Sequence, residues 1–307
     1  MSRAREPGEE TALPTATAAD ATPITAVEPH QGRRKRPPSV LTPASRVDRF
    51  LVLEKLGEGG MGAVYVAYDT LLDRKVAMKV VRPDRRDGGS VSAHDRLLRE
   101  AQAMARLSHP NVVAVLEVGE LGEDIYLALE LVEGATLKAW MRERKRTWRE
   151  VLAIFVPAGR GLAAAHDAGL VHRDFKPDNV LIGKDGRVRV ADFGVVSMSH
   201  GQREPSATPP GADPESSASS DAFTFTGMRV GTPAYMAPEQ HAGESVDGRA
   251  DQFAFCVALW EALYGERPFA PLAPGAAFRD RPMRSIPDGT DVPGWIEPLI
   301  RRGLALD

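Results

Sequence analysis

The sequence has only one cysteine, almost no net charge and no long apolar run. Because Cys256 stands alone, a disulfide framework is excluded, and with no visible secretory signal we expect a reducing, cytoplasmic environment. The 39 basic and 42 acidic side chains give a formal net charge of −3, which offers no basic field for a nucleic-acid partner. The most apolar run, residues 253–264, contains Glu261 and is shorter than the roughly 20 residues that span a bilayer. It therefore predicts a buried helix, and we expect no membrane segment.

The length and texture of the chain predict two lobes preceded by a tail. At about 150 residues per domain, 307 residues correspond to roughly two compact units. Residues 1–46 are rich in Ala, Thr and Pro with a basic run at 33–36, and we expect them to be disordered. A second stretch, about 197–226, is dominated by Ser, Ala, Pro and Gly, and we expect it to be a disordered insertion.

The periodicity of the remaining sequence predicts an α+β protein. Short β-type runs occur at 50–56, 63–68, 75–81, 112–118 and 125–131, with one helical pattern at 94–107. After Gly134 the pattern becomes mainly helical, over 137–146, 148–168, 250–264 and 295–306. We therefore expect a β-rich lobe at 47–133, an α-rich lobe at 134–307, and a cleft between them.

A glycine-rich segment is the first candidate for a ligand site. It has the G-x-G-x-x-G spacing and runs through Gly57, Glu58, Gly59, Gly60, Met61, Gly62, Ala63 and Val64. A dinucleotide-binding fold uses the same spacing, but there the glycines open a helix, whereas β-type residues follow here. A hairpin of this kind can cover phosphates with backbone N–H groups, and an ordinary tight hairpin is the simpler alternative.

Lys79 is the second candidate, on the strand predicted at 75–81. A lone lysine on such a strand is more often a solvated edge residue. Glu100, on the helix that follows, could reach its ammonium group and hold it against phosphates.

Three further motifs identify a family. Residues 172–179 read H-R-D-F-K-P-D-N, and they are followed by D-F-G at 192–194 and A-P-E at 237–239. In this order the motifs closely resemble those of the eukaryotic-like protein kinases, especially the bacterial members. Lys176, two residues after Asp174, is typical of the Ser/Thr branch. The resemblance implies a bilobal protein kinase-like fold, with a small β-rich N-lobe carrying one main helix and a larger α-helical C-lobe.

The resemblance also implies roles for individual residues in phosphoryl transfer from ATP. Asp174 would accept the proton of a substrate hydroxyl, Lys176 would neutralise the transferring group, and Thr232 would contact both. Asn179 and Asp192 would hold Mg²⁺ or Mn²⁺. Lys79, held by Glu100, would bind the α- and β-phosphates. The nucleotide pocket would consist of the glycine-rich segment together with Ala77, Leu129, Glu130, Val132 and Leu181, and Asp251 would anchor the backbone of the catalytic loop.

Regulation and partners follow from the same resemblance. Arg173, directly before Asp174, is typical of kinases switched by phosphorylation of the activation loop. We expect autophosphorylation in trans at Thr224 or Thr226, which would bring two copies of the chain together as a homodimer. The other partners would be proteins that carry Ser or Thr.

Two other classes of function stay open. A nucleotide-binding but inactive fragment or scaffold is one, because the sequence ends where the family continues with a Pro and then an Arg that pairs with Glu239. That resemblance implies an incomplete C-lobe and a buried carboxylate without its partner, at a cost of roughly 3–5 kcal/mol. A small-molecule kinase of similar fold is the other, disfavoured by the A-P-E motif and by Thr232.

Overall fold

A computed structural model describes residues 41–59, 62–82, 93–193, 234–270, 278 and 281–305. Several of the expectations above concern residues outside this set, and they stay predictions. These are the tail up to residue 40, the insertion at 197–226, and Gly60, Met61, Thr224, Thr226 and Thr232.

An antiparallel sheet forms the first lobe. Its strands are β1 (Arg46–Val47), β2 (Phe50–Gly59), β3 (Gly62–Asp69), β4 (Arg74–Val81), β5 (Val115–Leu121) and β6 (Asp124–Glu130). Their order is β1-β2-β3-β4-β6-β5. Helix α1 (Ala93–Arg106) packs beside β5 and β6 and buries Leu97, Ala101 and Met104, which recur at helical spacing. The β-rich lobe with one main helix is therefore confirmed.

The folded region begins before the expected boundary at residue 46. Leu41 packs against the buried core of the sheet, and the amide of Ala44 donates to the carbonyl of Val52 over 2.9 Å. Arg46 pairs with Leu51 across β1 and β2. Residues 41–46 therefore belong to the first lobe, and the predicted end of the tail was wrong. A segment of six residues with one large apolar side chain is too short for its composition to reveal packing.

A second, smaller sheet opens the α-rich lobe. It consists of β7 (Gly134–Thr136), β8 (Val180–Gly183) and β9 (Val188–Val190), all antiparallel. Strands of three or four residues are too short to show alternation, so the sequence did not reveal them. The strand predicted at 112–118 begins instead at Val115, because the amide of Val113 donates to the carbonyl of Val190 over 2.9 Å.

Besides a short 3₁₀ helix (Pro177–Asn179), the described α-rich lobe contains five α-helices. They are α2 (Leu137–Glu143), α3 (Trp148–Asp167), α4 (Pro238–Ala242), α5 (Gly248–Tyr264) and α6 (Ile296–Gly303). Thr147 begins α3 through a reciprocal capping box with Glu150, and Asp247 caps α5. Gly265 ends α5 in a left-handed conformation at φ 81°, which glycine adopts without strain.

Helix α5 lies at the centre of this lobe. Nine of its residues are buried, including Trp260, and its burial has no single-sided pattern. The prediction of a buried helix at this apolar run is confirmed. In the part of the chain that the structure describes, no helix has both the length and the apolar composition needed to cross a bilayer.

Candidate active site

The glycine-rich segment is a hairpin between β2 and β3. Glu58 pairs with Ala63, and Gly59 pairs with Gly62, so strand follows the glycines, as the sequence predicts. Gly62 has φ 140°, and a Cβ there would lie 1.9 Å from the carbonyl oxygen of Val80. Only glycine fits this approach of β3 to β4. The hairpin excludes the dinucleotide-binding alternative, in which a helix would begin here.

The register of the first sheet brings several of the expected pocket residues onto adjacent strands. Val64 lies opposite Lys79, and Ala77 lies opposite Leu129. Leu129 and Glu130 end β6, and Val132 follows in the connection to the α-rich lobe. Leu181 is on β8, in register with Thr136. The first sheet and the connection after β6 therefore supply the described pocket residues of the first lobe, whereas Leu181 comes from β8 of the second sheet.

Lys79 reaches across the cleft to the other lobe. Its Nζ lies 3.0 Å from Oδ1 of Asp192, and its side chain is 12% exposed. Partial desolvation acts to raise the pKa of Asp192, whose side chain is 42% exposed, but the attraction of Lys79 and its hydrogen bond hold that pKa below the usual range. Asp192 is in the left-handed region at φ 59°, which is uncommon for a residue with a side chain. The contact with Lys79 therefore favours the ionised form of Asp192.

In this structure Lys79 pairs with Asp192 and not with Glu100, the partner that the resemblance implies. Glu100 lies half-buried on α1, where its nearest charged influence is Arg173. Desolvation raises the pKa of Glu100 to about 7, although the charge of Arg173 acts in the opposite direction. The carboxylate that Lys79 contacts is that of Asp192. A contact between Lys79 and Glu100 therefore depends on where α1 lies and not on residue type alone.

The catalytic loop brings the predicted C-lobe residues together. Lys176 donates from Nζ to Oδ2 of Asp174 over 2.6 Å. The side-chain amide of Asn179 donates to the backbone carbonyl of Asp174 over 2.8 Å. Both side chains of the Asp174–Lys176 pair are about one-fifth exposed, so the pair is reachable from the cleft. This cluster matches the sequence prediction for Asp174, Lys176 and Asn179 in position.

Asp251 holds the loop from below. It is 1% exposed, and its carboxylate accepts hydrogen bonds of 2.7 Å from the amides of both His172 and Arg173. The expectation that Asp251 anchors the loop backbone is confirmed by these contacts. His166 on α3 adds a third contact, 2.8 Å from Nε2 to Oδ2. His166 could not be predicted from the sequence, because nothing in the local pattern around it points to Asp251.

Gln240, which the sequence analysis also missed, joins the A-P-E segment to the loop. Its side chain donates to the carbonyl of Arg173 over 2.8 Å and accepts from the amide of Ala237 over 3.0 Å. Glu239, beside it, is half-buried, and among the described residues it forms no ion pair. The expected cost of a fully buried carboxylate at Glu239 therefore does not apply. The only sequence signal for Gln240 was its place directly after A-P-E.

Phe193 and His172 pack together behind the loop. Their ring centroids lie 4.7 Å apart, and both side chains are buried. Burial lowers the pKa of His172, whose Nε2 lies 2.8 Å from the carbonyl oxygen of Ala191. Phe193 also lines a small cavity with Met104, Leu127, Leu129, Lys79 and Asp192. This packing connects α1 to the D-F-G segment.

The donor set of this site fits a hard divalent cation. Asp192 supplies a carboxylate, and Asn179 has committed its amide nitrogen to the carbonyl of Asp174, which leaves the amide oxygen for a cation. Among the described residues there is no group of three or more His, Cys, Asp or Glu side chains that could hold a metal alone. Two oxygen ligands completed by phosphates and water are what Mg²⁺ accepts in sites of this kind.

Comparison with known proteins agrees with these features. A family model described as the protein kinase domain matches residues 50–285. The serine/threonine-protein kinase PknL of Mycobacterium tuberculosis is 40% identical over 222 residues, which cover 72% of this chain and 50% of that protein. The serine/threonine-protein kinase pkn2 of Myxococcus xanthus is 36% identical over 235 residues, which cover 75% of this chain and 26% of that protein. The chain thus spans half or less of the length of these two relatives.

Solved structures show the same fold. The crystal structure of the M. tuberculosis PknI kinase domain matches with a TM-score of 0.61 and 27% identity, over 87% of this chain and 92% of that one. The region matched by the family model includes both the glycine-rich hairpin and the catalytic loop, and it covers well over half of the sequence. The chain therefore belongs to the protein kinase domain family.

Proposed function

We propose that this chain transfers the γ-phosphoryl group of ATP to Ser and Thr hydroxyls of protein substrates. The observation that carries the proposal is the catalytic cluster, in which Lys176 and Asn179 hold Asp174 at 2.6 and 2.8 Å. The names of PknL and pkn2 support the Ser/Thr branch. Phosphoryl transfer depends mainly on positioning and charge neutralisation, and this site concentrates both.

In the proposed reaction, the carboxylate of Asp174 orients the substrate hydroxyl and accepts its proton. The hydroxyl oxygen forms a bond to the γ-phosphorus while the bond from that phosphorus to the β,γ-bridging oxygen breaks, which leaves ADP. Lys176, already beside Asp174, offsets the negative charge of the transferring group. Mg²⁺, held by Asp192 and Asn179, would supply further charge neutralisation on the phosphates.

Lys79 must exchange partners for its proposed role. In the structure its ammonium is occupied by Asp192, while the role requires it to hold the α- and β-phosphates with Glu100 behind it. We therefore propose that the active form brings α1 closer to Lys79. Release of Asp192 from Lys79 would at the same time free that carboxylate for a metal ion.

Autophosphorylation of Thr224 or Thr226 is the proposed trigger. The Nε of Arg173 is buried without a hydrogen-bond partner among the described residues, so this guanidinium has capacity for a phosphate. The test is phosphopeptide mapping of the purified chain after incubation with Mg-ATP. A chain that stays active while its loop carries no phosphate would contradict the trigger.

A phosphotransfer assay with [γ-³²P]ATP and a generic protein substrate tests the function itself. Wild type should label the substrate, and Asp174→Asn should lose this activity by about a hundredfold or more. Asp167→Asn, an exposed change on α3, is the matched control and should keep the wild-type rate. If wild type binds ATP but labels nothing, the alternative of an inactive nucleotide-binding fragment replaces the proposal.

A further inference from the structure

A second charged cluster connects the two lobes away from the catalytic loop. Arg189 on β9 is 3% exposed, and the phosphotransfer scheme above gives it no role. Its Nη2 lies 3.0 Å from Oε1 of Glu130 and 2.8 Å from Oδ2 of Asp185. Glu130 ends β6 in the first lobe, whereas Asp185 lies in the turn between β8 and β9. One buried guanidinium therefore joins a strand of the first lobe to a turn of the second.

The surrounding residues fit this arrangement closely. A Cβ at Gly183 would lie 2.3 Å from Oδ1 of Asp185 and 3.0 Å from Nη1 of Arg189, so glycine leaves the space that the pair occupies. The hydrogen bonds with Asp185 and the charge of Glu130 raise the pKa of Arg189. Because a buried cation without partners is costly, the two carboxylates fix the position of this side chain.

The connection between the lobes is attached at its other end as well. The amide of Lys184 donates to the carbonyl of Glu133 over 2.8 Å, and Gly134 pairs with Gly183. A Cβ at Gly134 would lie 2.0 Å from the carbonyl oxygen of Ile182, so the connection presses directly against β8. Residues 131–132 are therefore held between the Arg189–Glu130 contact and the β7–β8 pairing.

The base of the cluster is itself fixed to the first lobe. The amide of Val190 donates to the carbonyl of Asn111 over 2.8 Å, and the side chain of Asn111 donates to the carbonyl of Val188 over 2.8 Å. The strand that carries Arg189 thus cannot shift without breaking backbone bonds on both sides of it. Arg189 therefore projects from a strand, β9, that is hydrogen-bonded on both sides.

We propose that Arg189 is a positioning residue for the nucleotide: by binding Glu130, it fixes the backbone of residues 130–132 at the edge of the adenine pocket. This inference rests on the proposed function, because it assumes that this backbone binds the purine. A peptide segment recognises a base edge through aligned N–H and C=O groups, and small shifts weaken such bonds steeply. The phosphates and the catalytic loop lie elsewhere, so a loosened connection should impair binding of the base more than chemistry.

The variants that test this are Arg189→Met, Arg189→Lys and Glu130→Gln, with Arg187→Met as the control. Arg187 pairs with the same Asp185 over 2.7 Å, but it is mainly exposed, and in the described structure Glu130 pairs with Arg189 instead. The measurements are kcat and KM for ATP and for GTP with one protein substrate, the Kd of ADP, and the Tm, all on the 307-residue chain.

Arg189→Met should raise KM for ATP about tenfold, or about 1.4 kcal/mol, with kcat within about twofold of wild type. The preference for ATP over GTP should fall by a similar factor, and the Kd of ADP should rise with it. Arg189→Lys should recover part of the loss, and Arg187→Met should match wild type. Glu130→Gln should act in the same direction, and its effect should not add to that of Arg189→Met, because the two variants break one contact.

Three outcomes would overturn the inference: a lower Tm with unchanged KM, a fall in kcat larger than the rise in KM, or additive effects of Arg189→Met and Glu130→Gln. If Arg189→Met does not fold, Glu130→Gln at the more exposed end of the pair decides in its place. A wild-type chain that labels no protein contradicts the proposed function, and the Kd of ADP still tests Arg189. A wild-type chain that labels protein normally, beside variants indistinguishable from it, contradicts only the role of Arg189.

Discussion

The two faces of the cleft are organised differently. On the C-lobe face, Asp174, Lys176 and Asn179 are bonded to one another, and Asp251 holds the backbone beneath them. On the N-lobe face, Lys79 is bonded across the cleft to Asp192. Glu100, its expected partner, lies apart from it on α1, with a pKa near 7.

This difference follows from how each face is built. The C-lobe cluster comes from eight consecutive residues, fixed by a carboxylate that is 1% exposed, so its geometry is decided locally. The Lys79–Glu100 contact requires a whole helix to lie at one distance from a sheet. Packing of Leu97, Ala101 and Met104 can support more than one such distance, because apolar contacts are not directional. The catalytic loop is thus preformed, whereas the arrangement of the N-lobe face depends on where α1 lies.

Replacing the loop's anchor should break the better-ordered face, with the largest effect. Asp251→Ala leaves two buried amides and His166 without their acceptor, and we expect a loss of about 3–5 kcal/mol in the free energy of unfolding. Activity should fall with it, since Arg173 and His172 set the position of Asp174. Urea unfolding and the phosphotransfer assay measure the two effects.

The control for that variant is Asp247→Asn, on the same helix. Asp247 is mainly exposed, and Asn caps a helix as well as Asp does, so stability should change by less than about 0.5 kcal/mol. An Asp251→Ala protein with wild-type stability would show that the loop does not depend on this anchor.

A change at Lys79 should separate the two faces. Lys79→Met removes the cross-cleft cation but no buried anchor of the loop, so we expect phosphotransfer to fall by about 10²–10³. The unfolding free energy should change by only about 1 kcal/mol, because Asp192 keeps partial access to solvent. Parallel activity and unfolding measurements decide this. If Asp251→Ala and Lys79→Met lose the same amount of unfolding free energy as well as of activity, the two faces do not differ in how they are held.

The sequence could predict most of the loop because its residues are chain neighbours. The resemblance to protein kinases implied that Asp174, Lys176 and Asn179 act together, and because they lie within one short segment, the structure brings them together. The longer strands and helices were also readable, because their periodicities are long enough to count.

Contacts between distant segments could not be read in the same way. The contact of Lys79 with Asp192 joins residues 113 positions apart, and the bridge from Arg189 to Glu130 depends on β8 and β9, which are too short to show a pattern. His166 and Gln240 likewise act on partners more than 60 positions away. Tertiary packing decides such pairs, and propensity does not carry that information.

The pH dependence of stability should report on the N-lobe face. Because the pKa of Glu100 is about 7 in the folded state and near 4.5 when unfolded, the folded state binds more protons between these values. This group therefore lowers the unfolding free energy as pH rises from about 4.5 to 7, after which its contribution is constant. Glu100→Gln should remove this pH-dependent loss. The unfolding free energy of the variant minus that of wild type should therefore be about 2 kcal/mol larger at pH 8 than at pH 5. Urea unfolding at the two pH values measures this, and an identical difference at both would show that folding does not raise the pKa of Glu100.

The smallest expected effect concerns the contact that joins the two faces, where the loop at Asn111 rests on α3. A Cβ at Gly161 would lie 2.3 Å from the carbonyl oxygen of Asn111, which is backbone and cannot turn away. Gly161→Ala should therefore cost roughly 1–2 kcal/mol. Gly159→Ala on the same helix is the control, because its Cβ would lie 3.4 Å from the ring of Phe255 and alanine favours the helix. Thermal unfolding of the two variants measures the difference. If Gly161→Ala is as stable as Gly159→Ala, the close approach of the Asn111 carbonyl to α3 does not contribute to the stability of the contact between the two faces.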